Sequence, residues 1–106
     1  MTTQILRVPA REEFRSAAGM LKLLGDETRL RVIWALLGGE HSVNELAELV
    51  GAQPAAVSQH LAKLRLARLV RSRREGTRIF YVLDDVHVGS LVEEVLQHAD
   101  HVTADG

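Results

Sequence analysis

The sequence predicts a mainly α-helical chain with one small β-hairpin, a winged helix-turn-helix that dimerises through its terminal helices. Three observations carry that expectation. Two short amphipathic stretches meet at a tight glycine-containing turn in "SVNELAELVGAQPAAVSQHLAKLRL", the pattern of a helix-turn-helix. The apolar period then switches from about 3.6 residues to about 2 across "ARLVRSRREGTRIFYVLD", as a hairpin after the second helix requires. The final stretch, "DDVHVGSLVEEVLQHADH", carries an apolar helical stripe that needs a partner, most simply its own copy.

At 106 residues with 46% hydrophobic side chains, the chain suits one domain over 1–106. Residues 12–24 place Phe14, Ala17, Ala18, Leu21 and Leu24 at helical spacing before Gly25, predicting a first helix with a break near Gly19. The second helix, in "DETRLRVIWALLGGE", has Asp26 or Thr28 as its cap, sets Leu30, Ile33, Trp34 and Leu37 on one face, and stops at Gly38 and Gly39. Ser42 and Glu45 form a capping box, each side chain satisfying an amide hydrogen left unpaired at a helix start, and Gly51 closes that short helix. Pro54 stands where a first helical residue tolerates a missing N–H, and Val57, Leu61 and Leu64 face inward from the helix that follows. The helix-turn-helix spans about 43–66, the wing about 69–83 and the terminal helix about 86–102. In the wing, Val70 and Ser72 take one side and Arg71 and Arg73 the other, while Ile79, Tyr81 and Leu83 alternate with Arg78, Phe80 and Val82. The closing "TADG" is expected to fray.

Absence of cysteine excludes disulfides and thiolate ligands, so any metal must be held by nitrogen and oxygen. No apolar run approaches the ~20 residues of a membrane span, and "MTTQILRVPAREEF" lacks a signal-peptide core, which together predict a cytoplasmic protein with no membrane partner. A formal net charge of −1 hides a strong polarity. Residues 60–81 hold Lys63, Arg65, Arg68, Arg71, Arg73, Arg74 and Arg78 against Glu75 alone; residues 82–106 hold six acids and no Lys or Arg. A basic middle suits a polyanion and an acidic end suits cations.

With Val57, Leu61 and Leu64 inward, a step of ~100° per residue turns Ala55, Gln59, Ala62 and Lys63 outward, with Ser58 on the flank. Small residues beside one amide and one lysine let a helix enter the DNA major groove, where Gln59 can pair with an adenine edge and Ser58 and Lys63 suit phosphate. His60 falls at the core boundary, placed to pack or to touch DNA. Arg71, Arg73, Arg74 and Arg78 around Gly76 suit phosphates or a minor groove. Candidate DNA-binding residues are therefore Ala55, Ser58, Gln59, His60, Lys63, Arg71, Arg73, Arg74 and Arg78.

The terminal stretch holds three of the five histidines. His98 and His101 share a helix face and can share an ion; so can Asp85 and His87. On one helix His87 and His98 lie ~16 Å apart along the axis, too far for a common ion. Two copies packed antiparallel about a twofold axis near residues 92 and 93 would bring Asp85 and His87 of one chain beside His98 and His101 of the other, closing two identical metal sites per dimer. Three imidazoles and a carboxylate can hold Zn(II) tetrahedrally; octahedral Ni(II) or Co(II) needs two further donors, from water, Asp100, Asp105, the N-terminal arm or backbone. His41 reads as a surface residue.

These residues resemble the ArsR/SmtB family of metal-sensing winged-helix repressors from about residue 14 to 101. The pieces that carry the resemblance are "LGDETRLRVIWALL", "SVNELAELVGAQPAAVSQHLAKLRLARLVRSRREGTRIFYVL" and "DDVHVGSLVEEVLQHADH". The resemblance implies a homodimer on an operator-promoter inverted repeat that releases DNA when metal binds. It places Asp85, His87, His98 and His101 at the family's site on the dimer helix, and Ser58, Gln59 and His60 in its recognition segment. Missing cysteines depart from the thiolate sensors of arsenic, cadmium or lead. The ligand set looks like that of zinc/cobalt sensors, whereas "VNELAELVG", "VSQHLAKLR" and "ARLVRSRREGT" look like nickel/cobalt sensors, which favours Ni(II)/Co(II) over Zn(II).

A metalloenzyme would also use three His and one acid, but catalysis needs an open coordination position, a pocket and a general base, and here all four candidates are used in ligation. The expectation is no enzyme. The alternative is a winged-helix regulator whose signal is not a metal, and sequence does not separate repression from activation, alone or with a companion regulatory protein.

Overall fold

The computed structural model describes residues 7–105, in the order α1 (Arg11–Leu24), α2 (Glu27–Leu37), α3 (Val43–Val50), α4 (Pro54–Leu66), β1 (Val70–Glu75), β2 (Arg78–Leu83) and α5 (Val86–Asp105). Five helices and a two-stranded antiparallel hairpin make the expected winged helix-turn-helix. None of the described helices is long and apolar enough to cross a membrane.

α1 runs unbroken through Gly19, where a break was expected. Nothing lies within 4 Å of a β-carbon built there, so no packing demand interrupts the helix. Asp26 caps α2 by accepting the Arg29 N–H. Of the expected face of α2, Ile33 is buried and Leu30 and Leu37 are half-buried, but Trp34 is 54% exposed, and Val32, Ala35 and Leu36 join the buried face in its place. The reason is topological: α2 packs against α1, α3, α4, α5 and β2, so its buried arc is set by neighbours on several sides.

The capping box at α3 forms as expected, with Ser42 N–H donating to Glu45 Oε1 at 2.8 Å and Glu45 N–H to Ser42 Oγ at 3.3 Å. Gly51 ends α3 at φ 69°, a left-handed conformation that glycine adopts without a β-carbon clash. Pro54 opens α4, and Val57, Leu61 and Leu64 are its buried residues, as expected. Arg68 then takes φ 61° where α4 gives way to the wing.

The hairpin pairs Val70 with Leu83 through Glu75 with Arg78. His41, expected simply at the surface, is half-buried: its N–H donates to the Tyr81 carbonyl at 3.1 Å and its carbonyl accepts from the Tyr81 N–H at 2.8 Å. It thereby adds a short bridge to the hairpin's inner strand.

α5 continues past the expected residue 102 to Asp105, so the segment expected to fray is helical except for Gly106, which lies outside the described residues. Val88, Gly89 and Val92 face the core. A β-carbon at Gly89 would meet Leu37 Cδ2 at 2.7 Å and Leu83 Cδ2 at 2.8 Å, so glycine lets α5 lie close on α2 and β2. Leu91, Val95, Leu96 and Val102 remain exposed, as do Phe14 and Leu21 on α1.

Candidate DNA interface and metal-ligand helix

Because α4 buries one stripe, its opposite face is open: Ala55, Ser58, Gln59, Ala62 and Lys63 are all exposed. His60 does not share that face. It is half-buried, with Nδ1 3.3 Å from Arg29 Nη1 and Nε2 3.9 Å from Asp26 Oδ2, its ring turned toward the start of α2. Of the two roles open to it, the geometry displays the packing one.

The four wing arginines are exposed but not equivalent. Arg71 Nε donates to Asp84 Oδ1 at 3.1 Å. Arg73 grips Glu40 through Nε, at 2.8 Å, and through Nη2, and its Nη1 donates to Glu75 Oε2 at 2.8 Å. That guanidinium holds the Glu40 carboxyl below the ordinary carboxylate range, and the two carboxylates hold Arg73 above the ordinary guanidinium value. Arg74 and Arg78 have no ion pair among the described residues. Phe80 lies under two guanidiniums, Arg73 at 4.9 Å and Arg78 at 4.8 Å from its ring centre. This stack escaped sequence reading, although the register could have exposed it, because Arg73 stands opposite Phe80 and Arg78 is two residues along the same strand face.

On α5 the four candidate ligands form two separated pairs. Asp85 stands at the helix start, where its Oδ1 accepts the N–H of His87 at 2.9 Å and of Val88 at 3.1 Å. Its Oδ2 accepts no hydrogen bond among the described residues. His87 is exposed beside it; His98 and His101 are exposed one helical turn apart toward the other end. Among the described residues of one copy, no three His, Asp or Glu side chains converge on a common point. Asp100 is exposed near the second pair, while the N-terminal arm, residues 1–6, and the Asp105 side chain lie outside the described residues. An open cleft of about 300 Å³ between α2 and α5, lined by Glu27, Leu30, Arg31, Trp34 and Leu96, sits beside the uncovered face of α5.

Comparison with known proteins adds a lineage to this geometry. The profile of the arsR family of bacterial regulatory proteins matches residues 26–72. The HTH-type transcriptional regulator KmtR of Mycobacterium tuberculosis is 55% identical over 82 residues, 77% of this chain and 63% of that protein. This chain therefore spans less than two thirds of that relative. The cadmium resistance transcriptional regulatory protein CadC homolog of Staphylococcus aureus is 34% identical over 98 residues, 92% of this chain and 81% of that one. Among solved structures, the AntR antimony-specific transcriptional repressor superposes with a TM-score of 0.84 at 31% identity, covering 95% of this chain and 92% of that one. The homodimeric winged helix-turn-helix domain of a possible ArsR-family regulator from Mycobacterium bovis superposes with a TM-score of 0.78 at 27% identity, covering 95% and 96%.

Proposed function

The chain belongs to the ArsR family of bacterial regulatory proteins, and from that premise we propose that it is a metal-responsive repressor that leaves operator DNA when Ni(II), Co(II) or Zn(II) binds between the two chains of its homodimer. The observation that carries this reading is the arrangement of α5: ligand pairs at its two ends, and between them exposed Leu91, Val95 and Leu96. An antiparallel partner covering those residues sets Asp85 and His87 of one chain against His98 and His101 of the other.

The donor set fits a divalent transition metal and not a soft thiophilic one, since it offers three imidazoles, one carboxylate and no sulfur. Asp85 is suited to the task, because its Oδ1 is fixed by the helix start and its Oδ2 is left to point elsewhere. The resemblance of the reading head favours Ni(II)/Co(II) over Zn(II). DNA is read by Ala55, Ser58, Gln59 and Lys63 in the major groove, and Arg71, Arg73, Arg74 and Arg78 reach the backbone. Metal favours one separation of the two reading heads and DNA another, so each ligand weakens the other by the same factor.

Calorimetric titration of the metal-free protein with Ni(II), Co(II) and Zn(II), with Co(II) absorption read in parallel, tests this. The expected result is one tight ion per chain, lost in both His87→Ala and His98→Ala while DNA binding survives. Weak six-coordinate Co(II) bands point to nickel or cobalt, intense four-coordinate bands to zinc. No binding of any of the three sinks the metal reading.

A further inference from the structure

Arg29 is attached at three places. Its backbone N–H donates to Asp26 Oδ2 at 2.9 Å, as the cap of α2 requires. Its Nε donates to the Leu23 carbonyl at 2.6 Å, in the last turn of α1, where carbonyls have no partner within the helix. Its Nη1 lies 3.3 Å from His60 Nδ1, in the middle of α4. A guanidinium only donates, so His60 Nδ1 is the acceptor and Nε2 carries the hydrogen, facing Asp26 Oδ2 at 3.9 Å.

One half-buried residue, through its backbone N–H at the start of α2 and its side chain, therefore joins that start to the end of α1 and the centre of α4. α1 exposes Phe14 and Leu21, apolar surface suited to a second copy; α4 exposes Gln59 and Lys63. His60 follows Gln59 directly, so anchoring its ring fixes the rotation of α4 about its own axis, and with it the direction of Gln59 about 100° away.

We propose that Arg29 is a positioning residue for DNA binding, a strap that sets α4 against α1 through His60 so that the two reading helices of a dimer are presented at one spacing. The proposal rests on reading α4 as the DNA-contacting helix. Arg29 itself touches no DNA in this account: its Nε and Nη1 are directed at Leu23 and His60 inside the protein. His60 acts as a hydrogen-bond acceptor for Arg29 and not as a base contact.

The test uses the full metal-free chain and a duplex of about 30 base pairs, long enough for two half-sites, selected by the wild-type protein from a random pool. Arg29→Ala is expected to weaken binding about tenfold, the scale of losing a hydrogen bond from a charged group, with no change in the slope of log affinity against log salt. His60→Ala should match it, and the double variant should be no weaker than either single. His60→Asn, whose Oδ1 takes the place of Nδ1, should stay within about twofold of wild type. Thermal unfolding of each variant separates loss of fold from loss of positioning, and the His60→Asn and His60→Ala pair decides the matter even if Arg29→Ala does not fold. A slope reduced by about one in Arg29→Ala would mean a direct phosphate contact. His60→Asn as weak as His60→Ala, or additive single effects, would equally overturn the strap. If the wild-type chain selects no duplex, the DNA-binding reading fails and the strap with it.

Discussion

Gly89 and Leu37 meet so closely that a side chain between them has to push the leucine aside: a β-carbon on Gly89 would stand 2.7 Å from Leu37 Cδ2. The glycine is what seats α5 on the core, and α5 carries both the candidate ligands and the apolar face. Gly89→Leu is expected to destabilise the protein by about 1–3 kcal/mol, the usual range for overpacking, read as a lower denaturant midpoint. Gly89→Ala should cost less, because alanine recovers about 1 kcal/mol of helix propensity and the obstructing atoms are leucine side-chain ends. Equal losses for the two would show that the close approach is not what glycine supplies.

The wing arginines should separate in a salt titration of DNA binding. Arg73 is already engaged by Glu40 and Glu75, whereas Arg74 has no ion pair among the described residues. Arg74→Ala should lower the salt slope by about one, the signature of a lost phosphate contact. Arg73→Ala should lower it less, because a phosphate reaching that guanidinium has to displace two carboxylates. The reverse order would mean that Glu40 releases Arg73 on the DNA.

Acid should loosen the fold through two capping carboxylates and one ion-paired one. The Arg29 N–H holds the Asp26 carboxyl below its ordinary value, the Ser42 N–H does the same for Glu45, and the Arg73 guanidinium for Glu40. Depressed carboxylates contribute stability that is complete above the ordinary carboxylate range near ~4 and is lost as pH falls through their lowered values. Denaturant midpoints measured below about pH 5 should therefore decline, and Glu45→Gln should flatten part of that decline. An unchanged acid limb would remove Glu45 from it.

Arg68 occupies left-handed backbone at φ 61°, where a β-carbon costs about 1–2 kcal/mol. Glycine would remove that cost but add about 0.5–1 kcal/mol of unfolded-chain entropy. Arg68→Gly is expected to raise stability modestly, by up to about 1 kcal/mol. A clear loss would show that the Arg68 side chain contributes more than its backbone strain removes.

Features governed by neighbours in sequence were legible beforehand. Ser42 with Glu45, Pro54 after Gly51, the hairpin about Gly76 and the buried triplet of α4 all follow local rules, and each appears where expected; the alternation expected along β2 does not, since Phe80 to Leu83 are all half-buried and Ile79 is exposed. The face of α2 was legible only in part, because five surrounding elements decide what it buries: Ile33 is buried as read, but periodicity alone also assigned Trp34 inward. Arg29 reaches His60 across 31 residues and Arg73 reaches Glu40 across 33, distances over which no local pattern signals a contact. The four ligand candidates could be named from spacing, but within one chain they form two separated pairs, and the proposed site needs a second copy to join them.

The uncovered residues on α1 and α5, Phe14 at 61%, Leu21 at 59% and Val95 at 50% exposure among them, bring mass action into the regulator's own behaviour. If dimerisation buries them, each tenfold rise in protein concentration stabilises the folded dimer by about 1.4 kcal/mol, and the unfolding temperature climbs with it. The amount of regulator in a cell then sets how much of it is whole, and a repressor diluted below its dimer dissociation constant would lose its grip on both half-sites with no metal present.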